Sequence, residues 1–199
     1  MPFIFKRLVL FLSIAAAFAA DKDSAPFRPA AASNYPHHQT NSKITIGVEP
    51  YNAPEKQREA FGKLELYSYG VLPVLVVIQN DGDKAIRLDK MKAVYTGPNS
   101  NRVEATPAKD VRYLNGTRRP DIVPGPTGSP KVGRSRKNPL DAWEVEGRAF
   151  AAKLLPPGES ASGFFYFQAG LQPGATIYLN GLTEAATGQE LFYFEIPLQ

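Results

Sequence analysis

His37 and His38 are the only imidazoles in the chain, and it has no cysteine. A zinc-type site needs about four converging N, S or O ligands. Adjacent side chains on an extended backbone point apart, and no Cys or clustered carboxylate stands near these two to complete a set. Ser-His-Asp hydrolysis meets the same scarcity, because its base must be held rigidly by a third group. Glycoside hydrolysis needs two facing carboxylates about 5–9 Å apart. Glu144 and Glu146 are the nearest candidates, yet residues two apart on a helix do not face each other. The chain contains no Walker sequence and no dinucleotide-binding glycine fingerprint. No cofactor is expected.

Charge offers more than catalysis does. The stretch 116–139, GTRRPDIVPGPTGSPKVGRSRKNP, holds Arg118, Arg119, Lys131, Arg134, Arg136 and Lys137 against the single acid Asp121, a net of +5. Five prolines, four glycines and few apolar residues predict a flexible loop with no packed element of its own. Such a loop attracts anionic lipid, anionic polysaccharide or an acidic protein surface, at about 1 kcal/mol per charge near an anionic membrane. These six cations are the candidate binding residues. Tyr67 and Tyr69 are a second candidate. On a strand they share a face that either binds a partner or packs under a helix.

The elements that carry these residues begin after a leader. Lys6 and Arg7 precede the apolar run Leu8 to Phe18, and Ala17-Phe18-Ala19 follows the small-x-small pattern of a cleavage site. Residues 1–19 therefore read as a secretory signal; an uncleaved anchor is the alternative reading. The run falls short of the roughly 20 residues of a spanning helix, so no transmembrane span is expected in the mature form. Loss of Lys6 and Arg7 lowers the formal net charge from +4 to +2. An exported chain without cysteine relies on its core rather than on disulfides, and the expected location is a bacterial periplasm or the extracellular space. Nucleic acid is not an expected partner there.

Residues 20–42 lack an apolar period and read as a disordered spacer; 43–199 form one domain. Ile44, Ile46 and Val48 alternate as a strand. Asn52 and Glu55 at capping-box spacing, Pro54 and Gly62 predict a helix over about 53–61. KLELYSY (63–69) alternates again. In GVLPVLVVIQNDGDKAIRL (70–88), the β-branched Val74, Val76, Val77 and Ile78 disfavour helix, and the unbroken apolar run predicts a strand covered on both faces. Strands are also predicted at 92–97, 101–107, 162–168, 175–181 and 190–198, the last with Phe192, Phe194, Ile196 and Leu198 on one face. Residues 111–115 read as strand or loop. Trp143, Phe150 and Leu154 recur at i, i+7, i+11 after an Asp141–Glu144 capping box and predict a helix over 142–155. The pattern as a whole is mainly β, an antiparallel immunoglobulin-like sandwich with one or two short helices and a long disordered loop.

Two segments, 70–88 and LLPPGESASGFFYFQ (154–168), resemble bacterial extracytoplasmic immunoglobulin-like domains, including the telokin-like kind with no assigned function. The first is similar to their strand–Asn–turn–strand, the second to their Pro-Gly-Glu turn into an aromatic strand that begins after a glycine. The resemblance covers 64–90 and 155–199. It implies a non-catalytic envelope module and transfers no functional residue; the insertion 116–139 and the stretch 142–155 depart from the family's pattern. The expected function is an exported, non-enzymatic module that binds or scaffolds an envelope component through its basic loop, with an envelope protein, anionic lipid or polysaccharide as partner. The alternatives are an envelope glycan hydrolase with unassigned carboxylates and an assembly subunit that pairs through an edge strand.

Overall fold

The computed structural model describes residues 27–114 and 138–199, and the backbone alone of 122–124 and 130–132. The chain runs β1 (His37–Asn41), β2 (Ile44–Pro50), α1 (Pro54–Phe61), β3 (Leu72–Asn80), β4 (Ile86–Arg87), β5 (Lys92–Thr96), β6 (Arg102–Glu104), α2 (Ala108–Val111), β7 (Ile122–Pro124) and β8 (Pro130–Val132). It continues with α3 (Trp143–Gly147), β9 (Leu154–Leu155), β10 (Ser160–Phe167), β11 (Thr176–Asn180), β12 (Thr183–Glu184) and β13 (Phe194–Pro197). Two four-stranded antiparallel sheets, β1-β2-β3-β10 and β13-β11-β5-β6, form the body, and a small sheet β12-β4-β9 lies beside them. The fold is mainly β and sandwich-like.

β3 shows why the sequence folds this way. Leu72, Val74, Val76 and Ile78 join Ile46 and Val48 of β2, Tyr95 of β5, Ile177 and Leu179 of β11 and Ile196 of β13 in the inter-sheet core. Leu75 and Val77, on the opposite face, join a second core with Phe61, Leu66, Val111, Val145, Phe164 and Tyr166. A layer of short helices therefore covers the first sheet's outer side. Each such aliphatic side chain contributes about 1.5–3 kcal/mol on burial, so both layers are strongly held to the same strand. Pro73 pairs with Tyr166 near the strand's start, as expected.

Several expectations are corrected. Residues 63–69 are not a strand: Leu66–Tyr69 form a 3-10 turn, whose Tyr67 N–H donates to the buried Gln57 side chain at 2.9 Å. The helix predicted over 142–155 ends at Gly147, because the edge of β10 captures the chain that follows. Phe164 N–H donates to the Arg148 carbonyl, and Phe150 N–H donates to the Phe164 carbonyl. Gly163 permits that approach, since a Cβ there would stand 2.4 Å from the Phe150 Cα. In the predicted spacer, residues from Phe27 onward are structured: β1 pairs with β2 from His37↔Val48 to Asn41↔Ile44, and Ala32 is fully buried. Gly47 makes the room, for a Cβ there would lie 2.3 Å from the Ala32 carbonyl oxygen.

A further correction concerns the caps. Neither Asn52 nor Asp141 caps a helix; α1 starts after Ala53 and α3 after Ala142, with no side-chain cap. Proline at the start and Gly62 at φ 64° suffice to bound α1. Within 116–139, β7 and β8 pair antiparallel from Ile122↔Val132 to Pro124↔Pro130, so a short backbone ladder stands where no element was expected. Residues 111–115 are neither strand nor simple loop at their start, because Val111 closes α2.

Candidate binding face

The helical layer carries the two ends of the basic stretch. On the outgoing side, buried Val111 anchors α2, and the Tyr113 and Leu114 N–H groups donate back to Asp110 and Val111. On the returning side, Asn138 fixes the chain. Its Nδ2 donates to the Arg112 carbonyl at 2.6 Å, and its Oδ1 accepts the Leu140 N–H at 3.0 Å. The segment between thus leaves and re-enters the body at one point. Arg118, Arg119, Arg134, Arg136 and Lys137 lie outside the described residues, and Lys131 falls on the β8 backbone.

Arg112 holds this junction against α3. Its Nη1 pairs with Asp141 at 2.8 Å, its Nη2 pairs with Glu146, and its Nε donates to the Lys109 carbonyl at 3.0 Å. Partly exposed pairs of this kind contribute modestly to stability, but together they fix one orientation of α3. The Tyr166 hydroxyl completes the fixation from beneath, donating to the Val145 carbonyl at 2.7 Å. Burial pushes the Tyr166 phenol well above the ordinary tyrosine value, the Arg148 charge offsetting part of the rise, so the hydroxyl stays a donor.

Trp143 opens α3 and is 75% exposed. It stands at an open groove of about 440 Å³, lined by Phe61, Leu64, Pro139 and Ala142 and flanked by Lys63 and Glu144. The spacing Trp143–Phe150–Leu154 predicts a single helical stripe over 142–155. The stripe never forms, because the chain turns into an extended path after Gly147, and the indole is left in solvent. No sequence signal marked it as a surface residue.

The remaining candidates are dispersed. His37 and His38 sit on the edge strand β1, and His38 Nδ1 lies 2.7 Å from the Tyr35 carbonyl. Among the described residues, no three His, Cys, Asp or Glu side chains gather into a metal-binding group. Glu146 is engaged by Arg112, and Glu144 borders the groove, so the two do not face a common site. The Tyr67 hydroxyl accepts the Leu171 N–H at 3.1 Å, a structural bond, while Tyr69 is half-exposed. Among the described residues, no helix is long and apolar enough to cross a membrane.

No family model matches the chain. No curated protein matches it either. Among solved structures, it is similar to Northeast Structural Genomics Consortium target SoR45, with 12% identity, a TM-score of 0.34, and coverage of 79% of this chain and 88% of that one. A functionally unknown protein from Listeria monocytogenes EGD-e gives 11% identity, a TM-score of 0.31 and 81% coverage of each chain. At TM-scores this low, neither likeness carries an argument about fold or function.

Proposed function

We propose that this protein is an exported, non-enzymatic module of the bacterial envelope, of immunoglobulin-like type, which binds an anionic component through its basic segment and presents it to the sandwich body. The observation that carries the reading is the closure of that segment at the Asn138–Arg112 bond, beside an exposed indole. The six cations belong to a stretch whose two described ends meet at this bond, and a run of like charge raises the local concentration of an anionic partner. Arg112, which pairs two acids at that point, removes charges that would repel an anionic partner.

The test compares the mature chain with a variant whose residues 116–137 are replaced by a neutral Gly/Ser linker of equal length. Vesicles containing anionic lipid and a purified acidic envelope polysaccharide serve as probes. The wild-type chain should bind at least one probe, with affinity falling as salt rises, and the variant should bind markedly less. Equal binding by the two forms, or none by either, would remove the basic segment from the account.

A further inference from the structure

We infer that Arg148 and Ser162 form a binding site for a carboxylate group, on residues separate from the basic segment. Arg148 directly follows α3, and its backbone is held on both sides. Its N–H donates to the Glu144 carbonyl at 3.0 Å, and its carbonyl accepts the Phe164 N–H at 2.9 Å. The side chain of this fixed residue lines a pocket of about 160 Å³ together with Phe27, Pro29, Leu75, Ser162 and Phe164.

Three observations point to an anion. The Arg148 Nε–H is buried and has no acceptor among the described residues, although a buried charged donor is normally paired. None of the ion pairs among the described residues includes Arg148, and no acidic side chain lines the pocket. The Phe27 ring lies 5.0 Å from the guanidinium carbon. It covers a flat face of the group, and the N–H donors, which lie in the plane, stay free to meet a ligand.

Ser162 supplies a second donor. Side chains two apart on a strand share a face, so the Ser162 hydroxyl stands on the side of β10 that carries Phe164, exposed at the pocket's wall. Charge and shape then select the anion. One guanidinium balances one negative charge, and a phosphate dianion would keep a charge uncompensated in a pocket with no second cation in its lining. The planar fork of arginine matches the two oxygens of a carboxylate. The volume is below the roughly 300 Å³ of a pocket that encloses a whole drug-sized ligand, so the site takes the acid group and leaves the rest of the molecule outside. A free organic acid and the C-terminus of a peptide both present that group.

The experiment follows the Arg148 Nε–H resonance of the isotope-labelled mature protein during titration, at constant ionic strength, with acetate, acetyl-trialanine, acetyl-trialanine amide and inorganic phosphate. The expected result is a saturable downfield shift with the two carboxylates, none with the amide and a weaker response to phosphate. Tighter binding of acetyl-trialanine than of acetate makes the source a peptide terminus, and equal binding makes it a free acid; both support the site. Arg148→Lys, which keeps the charge and loses the fork, should weaken acetate binding about tenfold, read at the Ser162 and Gly163 amides. Ser162→Ala should weaken it about threefold. Ser162 is exposed, so that variant keeps the fold and carries the test if Arg148→Lys does not.

No response at Arg148 to either carboxylate overturns the inference. So does a response to phosphate or to the amide as strong as to the carboxylates, and so does undiminished binding by Ser162→Ala together with Arg148→Lys. None of these outcomes touches residues 116–139, and the function proposed above is decided by its own test.

Discussion

The Gln39 side-chain oxygen accepts the backbone N–H of Glu195 at 2.9 Å. It is a bond between the edge strands of the two different sheets, β1 and β13. An outward-facing N–H on an edge strand is an attachment point for a foreign strand, and here a side chain occupies it. Gln39→Ala should lower stability by about 0.5–1 kcal/mol, read by urea denaturation, and should leave the Glu195 N–H open. Sedimentation velocity at high concentration is expected to show more self-association in the variant than in the wild type. An unchanged sedimentation profile would mean that the seam is guarded by something else.

Asn80 is fully buried at the end of β3. Its Nδ2 donates toward the carbonyls of Lys84, Leu155 and Pro156 at 2.8, 3.2 and 3.1 Å, and its Oδ1 accepts the Gly82 N–H at 3.0 Å. One side chain thus ties the Asn-Asp-Gly turn to the chain that enters β10. Asn80→Ala would leave several backbone groups without partners and should cost about 3 kcal/mol or more. Asn80→Asp should cost at least as much, because a carboxylate cannot donate to carbonyls. A thermal midpoint within a degree or two of wild type for either variant would contradict this assignment.

Gly163→Ala should be severely destabilising for a different reason. The new methyl group would meet Phe150 backbone atoms at 2.4 and 2.6 Å, and backbone cannot move aside as a flexible side chain can. The extended path Ala149–Phe150 should lift from β10, at a cost of about 2 kcal/mol or more. Amide exchange at Phe150 and Phe164, whose N–H groups close this junction, is expected to accelerate first.

The pH dependence should be one-sided. Burial raises the Tyr51 and Tyr166 phenols well above the ordinary value of 10.0, and Tyr35 and Tyr95 are moved the same way. The folded state therefore holds these protons more tightly than the unfolded chain does. The resulting stability is fully present below the unfolded value, and it is lost as pH rises from there toward the folded values. Urea midpoints should stay flat from neutrality to about pH 9 and fall above about pH 10. Tyr166→Phe should reduce that alkaline loss while costing about 1 kcal/mol at neutral pH, where the Val145 carbonyl loses its donor.

β3 was legible from its residues because β-branched side chains and a proline at its start leave few alternatives, and its unbroken apolar run reports burial on both faces. The alternation Phe194–Ile196–Leu198 was legible for the same steric reasons, although Phe192, one step earlier, is 73% exposed. The path after Gly147 was not legible. Phe150 and Leu154 keep helical spacing to Trp143, yet the Phe150 N–H is claimed by Phe164, a residue of another element. β1 escaped notice because HHQTN alternates only among polar residues, and what orders it is pairing with β2. At the candidate face, the cations could be read as residue types. The Asn138–Arg112 bond and the exposure of Trp143 could not, since both depend on contacts made across the fold.

That Asn138–Arg112 bond has an evolutionary consequence. Because the two described ends of the intervening stretch meet at a single clasp, lengthening it adds only about 0.6 kcal/mol of closure entropy for each doubling. The body can therefore tolerate a change in the number of residues that join Leu114 to Asn138 while the clasp between Asn138 and Arg112 keeps its place.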